Sequence, residues 1–217
     1  MVASSLVDAL LEPSTGSNGD KVLYDYYGRQ AELVPVSDIV YATVSGQTRM
    51  RLLASILMGW KGPVLDAGCN NGVYKAFVEE YVGLDFARGF LAGFKGDRVQ
   101  GSVEELPFKD EAFSHILLSE TLEHVHQPRK ALEECQRVLQ PKGDILITVP
   151  FGDDAKRVVS FGLENYGCHG KVLHGCFSRP YLKMLLKKTG FTVKQMNVYP
   201  EAGGVSPCLI AHVEKVK

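Results

Sequence analysis

The stretch Val64-Leu65-Asp66-Ala67-Gly68-Cys69-Asn70-Asn71-Gly72-Val73-Tyr74 constrains what this chain can fold into more than any other. Its apolar run is short, with Gly62-Pro63 in front and Gly68 behind, and so fits a buried parallel strand better than a helix. Glycine directly after such a strand lets the backbone approach a ligand and supplies angles that side chains forbid. The pattern predicts an open α/β sheet with a nucleotide-like ligand at the strand end.

The elements that follow fit that sheet. A helix is expected over Tyr74 to Glu80, then a strand ending near Asp85, a short helix around Gly89 to Phe94 and a third strand near Arg98 to Gly101. "FSHILLSE" reads as a fourth strand, Pro128 to Leu139 as a helix and "GDILITVP" as a fifth strand. Ser178 is a candidate N-cap with Pro180 in the first turn of a helix ending at Gly190. "FTVKQMNVY" and "PCLIAHVEK" close the order as an antiparallel pair at the sheet edge. Alternating strands and helices imply parallel pairing with right-handed crossovers. Upstream, apolar residues from Asp38 to Trp60 recur at helical spacing, with Gly46 as an interruption, and 13–20 reads as a turn-rich linker. Residues 1–60 are therefore expected to be a tail with cap helices, and 61–217 the ligand-binding domain.

Composition narrows the function classes. A charged fraction of 23% with a net charge of -1 and no long Lys/Arg cluster disfavours nucleic acid as a partner. No apolar run approaches membrane-spanning length, and the start has no basic segment before its apolar part, so a cytoplasmic location is expected. Five scattered cysteines without a CxxC pair read as reduced thiols.

The loop is not a dinucleotide fingerprint. Gly68 and Gly72 flank Asn70 in a DxGxNxG pattern, and Asp85 ends the next strand, where a carboxylate can accept from both hydroxyls of a ribose. With "VLDAGCNNG", "VGLDFA", "GSVEELPFKDEAFSHIL", "SETLEHV" and "RVLQPKGDILITVP" in order, residues 62 to 150 resemble the class I S-adenosylmethionine-dependent methyltransferases, in particular the small-molecule type 11 group. The resemblance implies a doubly wound, Rossmann-like sheet of seven strands, mostly parallel with an antiparallel last strand. It implies S-adenosyl-L-methionine as cofactor, with the loop of Gly68, Cys69, Asn70 and Gly72 holding its methionine part and Asp66 among the cofactor-binding residues. Asp85 would hold the ribose and Ser102 and Val103 the adenine edge, with Phe86 and Ser119 as further cofactor-binding residues. Two positions depart from the family pattern. Asn70 replaces a glycine, and asparagine tolerates the left-handed region. Ser102 replaces an aspartate, and a hydroxyl makes a shorter, uncharged acceptor for the adenine amino group.

Methyl transfer asks the protein for alignment and exclusion of water, with a base for acceptors that must lose a proton. His124 is the candidate base beside a small-molecule acceptor at oxygen, nitrogen or carbon. If "SETLEHVHQP" is helical, Glu120, Glu123 and His124 fall on one face, and a divalent-metal-assisted O-methyltransferase becomes the alternative. In that reading His169 or His174 joins them. His126 reads as a solvated helix-start residue. A non-catalytic cofactor-binding module is the alternative from another class. "GCHGKVLHGCFS" reads as a loop lining the acceptor pocket through His169 and His174; a zinc site at Cys168, His169, His174 and Cys176 lacks standard finger spacing. Tyr24, Tyr26 and Tyr27 are aromatic candidates for closing the pocket, with Tyr24 and Tyr27 assigned to the substrate.

Overall fold

Short apolar runs become strands here because helices cover both faces of the sheet, leaving no polar side for alternation to mark. The computed structural model describes residues 6–11, 44–92, 94–152, 157–162, 171–199 and 207–216. Its main sheet contains β1 (Val64–Ala67), β2 (Tyr81–Asp85), β3 (Asp97–Gln100), β4 (Phe113–Ser119), β5 (Leu139–Pro150), β8 (Phe191–Tyr199) and β9 (Cys208–Lys215). The order is β3-β2-β1-β4-β5-β9-β8. β1 to β5 pair in parallel, and β9 runs antiparallel between β5 and β8. The seven-stranded sheet expected from the sequence is therefore present, although the late antiparallel strand lies inside it and β8 takes the edge.

Alternate residues of each strand serve the two faces. Leu65, Ile116, Leu118, Ile145 and Ile147 share one core with α4 (Pro128–Val138) and α5 (Arg179–Lys188). Val64, Leu117 and Leu146 share the other with Leu53 and Leu57 of α2 (Val44–Leu57), together with Trp60, Tyr74, Tyr81 and Phe94. Ser178 caps α5 as expected, its hydroxyl accepting from Tyr181 N at 3.3 Å. Leu6, Leu10 and Leu11, in and after α1 (Leu6–Leu10), pack against the first core, and Leu11 bridges to Phe108. None of the described helices is long and apolar enough to cross a membrane.

Three local expectations are corrected. The helix over Tyr74 to Glu80 is only a 3₁₀ turn, Val73–Phe77, because Val78 leaves in extended conformation to start β2. α2 runs through Gly46 without interruption, since glycine in a helix costs stability without forbidding it. The segment read as a loop contains an antiparallel ribbon of β6 (Arg157–Gly162) and β7 (Lys171–Cys176). α3 (Arg88–Ala92) is the short helix expected before β3.

Candidate functional site

Strand order reverses between β1 and β4: β2 and β3 step outward one way, β5 the other. Loops leaving the carboxyl ends of β1 and β4 diverge, and a crevice between such loops is where open α/β sheets hold ligands. Gly68 to Gly72 form one lip and Ser119 to His124 the other.

On the first lip, the amides of Gly68 and Cys69 both donate to Leu84 O, at 2.7 and 2.9 Å, which ties the loop to β2. Gly68 has φ 88, and a Cβ there would stand 2.3 Å from Thr121 Oγ1 on the opposite lip. Gly72 has φ 74, and a Cβ would enter the Phe94 ring. Packing thus demands glycine at both positions, against Thr121 across the crevice and against Phe94 of the second core, in addition to backbone handedness. Asn70 adopts φ 53, the left-handed conformation expected of it. Its side-chain oxygen accepts from Asn71 N at 2.8 Å, and its own amide donates to Asp85 Oδ2 at 2.9 Å. The Cys69 thiol is buried, and burial pushes it well above its ordinary range.

Two buried carboxylates stand behind this loop. Asp66, 1% exposed on β1, accepts a hydrogen bond from the Tyr81 hydroxyl, while its Oδ1 has no hydrogen-bond partner among the described residues. Burial pushes its carboxyl up to about 7, against the Tyr81 hydrogen bond and with the charge of Asp85 adding to the rise. Asp85 accepts from Ala87 N at 2.9 Å as well as from Asn70, and burial raises it to about 6. Beyond β3, Ser102 Oγ accepts from Glu104 N at 3.1 Å, and Val103 is buried. Glu134 and Arg137 of α4 hold this connection through Leu106 N, Leu106 O and Phe108 O. The Phe86 carbonyl accepts from Gln100 Nε2 at 3.0 Å.

On the second lip, Ser119 Oγ lies 3.3 Å from the Tyr74 hydroxyl and 3.4 Å from Thr148 Oγ1. The single helical face expected for Glu120, Glu123 and His124 does not form. Glu120 precedes a 3₁₀ turn, Leu122–His124, and its own left-handed φ of 54 turns its side chain toward Thr148 and Arg49. Among the described residues, no three His, Cys, Asp or Glu side chains gather where they could hold a metal ion. His124 is partly exposed, its Nε2 3.9 Å from Glu123 Oε1. β7 packs beside this turn and carries His174, paired with Val159. Tyr24, Tyr26, Tyr27, Cys168 and His169 lie outside the described residues.

Residues 65–147 match the family model described as a methyltransferase domain, type 11. The chain is 34% identical over 90 residues to an uncharacterized protein of Methanocaldococcus jannaschii, covering 40% of each chain. It is 32% identical over 129 residues to the demethylmenaquinone methyltransferase of Renibacterium salmoninarum, covering 54% of each. The chain thus spans about half the length of these curated relatives. In fold it resembles a Burkholderia thailandensis 1,6-didemethyltoxoflavin-N1-methyltransferase solved with bound 1,6-didemethyltoxoflavin and S-adenosylhomocysteine, at a TM-score of 0.64, 22% identity and 95% coverage of both chains.

The crevice brings together Asp66, Gly68, Cys69, Asn70, Gly72 and Asp85 on one lip and Ser119 and His124 on the other. Sequence reasoning missed Tyr81, Thr121, Thr148 and Arg49. Tyr81 and Thr148 each sit in an otherwise apolar strand run, and a polar group in such a run is the signal that could have marked them. Arg49 had no such signal, because helical spacing alone does not say which strand end a helix meets.

Proposed function

We propose that the chain is an S-adenosylmethionine-dependent methyltransferase acting on a small-molecule acceptor. The observation that carries this reading is the Asp66 carboxyl, buried beside the glycine loop with Oδ1 unpartnered among the described residues. A buried acceptor of that kind calls for a donor, and the ammonium of the methionine part is a donor with charge. Each oxygen of Asp85 already accepts one amide and keeps lone-pair capacity for a ribose hydroxyl. Ser102 Oγ, which accepts from Glu104 N, can still serve the adenine amino group. The cofactor fits this donor set.

Bound there, S-adenosylmethionine supplies a methyl group on a sulfonium, open to displacement by an acceptor's lone pair. The chain's own residues do the rest. Ser119 is anchored to Tyr74 and Thr148 between the lips, and His124 is the residue assigned here to receive a proton from an acceptor that must lose one. The demethylmenaquinone methyltransferase name of one similar protein and the 1,6-didemethyltoxoflavin-N1-methyltransferase name of a protein of like fold support a small organic acceptor. Titration calorimetry with S-adenosylhomocysteine tests the reading: saturable binding that Asp85→Ala weakens is expected, and no binding by the folded wild-type chain overturns it.

A further inference from the structure

Two carboxyl groups on the β4 lip are arranged for a ligand that the fold itself does not supply. Glu123 is 3% exposed, and its Oε2 has no hydrogen-bond partner among the described residues. Its Oε1, 3.9 Å from His124 Nε2, is beyond hydrogen-bonding range of that nitrogen. Burial, and then the charge of Glu120, push the Glu123 carboxyl well above the usual carboxylate range. A further positive charge arriving beside it adds to the opposing pull of Arg49 and favours the ionised carboxylate.

Glu120 is held in place beside it. Thr148 Oγ1 donates to Glu120 Oε1 at 2.8 Å, Glu120 N donates back to Thr148 O at 3.0 Å, and Arg49 Nη1 lies 3.6 Å from Oε2. The Glu120 side chain nevertheless stays 28% exposed. A carboxylate acceptor brings no N–H or O–H donor for the unpartnered Glu123 Oε2. A hydroxyl brings one proton and can serve one of them, whereas a primary ammonium brings three N–H donors and a charge.

We propose that Glu120 and Glu123 form the recognition site for a methyl acceptor that arrives as an ammonium ion, making this chain an amine N-methyltransferase. The proposal rests on the methyltransferase reading above and names the substrate class of that same site. One N–H proton passes from the ammonium to the Glu120 carboxylate and on to water. The freed nitrogen lone pair forms the bond to the methyl carbon while the carbon–sulfur pair stays on sulfur, so the cationic charge leaves on the N-methylated product. Arg49 and Thr148 are positioning residues that act through Glu120.

Matched probes that differ only in the head group test this: benzylamine, benzyl alcohol and benzoate, then 2-phenylethylamine, 2-phenylethanol and phenylacetate. Each is titrated into the full chain saturated with S-adenosylhomocysteine and followed by ligand-observed NMR. In at least one set the amine is expected to bind tenfold or more tightly than its alcohol and its acid. Glu120→Gln should lose at least fivefold of that affinity while binding S-adenosylhomocysteine within twofold of wild type. Arg49→Lys should restore amine binding that Arg49→Ala loses, a recovery that packing alone does not predict. If Glu123→Gln fails to fold, Glu120→Gln decides. Equal or tighter binding of an alcohol or acid, no amine binding in either set, or an unaffected Glu120→Gln variant overturns the proposal. Failure of the wild-type chain to bind S-adenosylhomocysteine overturns the methyltransferase reading instead.

Discussion

At Asp66 and Asp85, burial sets the charge state before any ligand arrives. Their carboxyls stand at about 7 and about 6, both above the ordinary 3.8. Between those limits the folded chain holds more protons than the unfolded one, so these two groups make stability fall as pH rises from about 4 to about 7. An ammonium-bearing ligand favours the charged carboxylates, so S-adenosylhomocysteine affinity should rise over the upper part of that interval. Asp66→Asn should flatten both trends, as thermal unfolding and calorimetry across pH will show. Asp85→Ala removes a charged acceptor worth about 1.5 to 3 kcal/mol and should weaken the same ligand roughly 10- to 150-fold. Ser102→Asp should bind at least as tightly as wild type, because aspartate can also accept from Glu104 N; a tenfold loss in a folded variant would place the adenine elsewhere. His124→Ala is expected to slow turnover by roughly 10²- to 10⁴-fold with little change in cofactor affinity; full activity would leave it a packing residue. Much of this site was legible because Asp66 lies on β1, Gly68, Asn70 and Gly72 in the loop directly after it, and Asp85 at the end of the next strand. Arg49 and Thr148 were not, since their place beside Glu120 comes from two distant elements meeting at one strand end.

Among elements, legibility followed the locality of the stabilising contacts. The cap at Ser178 is written in adjacent residues, and the α5 start was read correctly; Ser178→Ala should cost about 0.5 to 2 kcal/mol in urea unfolding. β1, β2, β4 and β5 were likewise visible, as apolar runs bounded by turn residues. The Val73–Phe77 turn was overestimated because nothing local announces that the chain must leave early to pair Tyr81 with Val64. The β6–β7 ribbon was missed because "GCHGKVLHGCFS" mixes glycine and polar residues into a strand that only its partner across the hairpin fixes. Gly68 ties element to element: Gly68→Ala meets both an unfavourable φ and the Thr121 side chain, so it should lower the unfolding midpoint by more than the loss usual for an exposed glycine replacement. Adding Thr121→Gly should restore only part of that loss, because the backbone strain remains.

At the scale of the whole molecule, one set of helices and one core serve each face, and the residues nearest the start also share in the packing. Deleting residues 1–11 removes Leu6, Leu10 and Leu11 from the first core. The expected cost is about 2 kcal/mol, a fall of about 4 to 8 °C in melting temperature for a chain of this size; an unchanged melting temperature would show that the leucines add no net stability. The position of β9 has a further consequence during synthesis. It lies between β5 and β8 in the sheet, and residues 151–207 separate it from β5. A ribosome adding about 5 to 20 residues per second leaves the β5 edge bare for several seconds before β9 emerges to cover it. Until then the nascent sheet presents unpaired amides and carbonyls along β5 to every neighbouring chain, the kind of edge that invites aggregation. Chaperone demand should therefore peak late in translation, after the crevice between β1 and β4 has already been made.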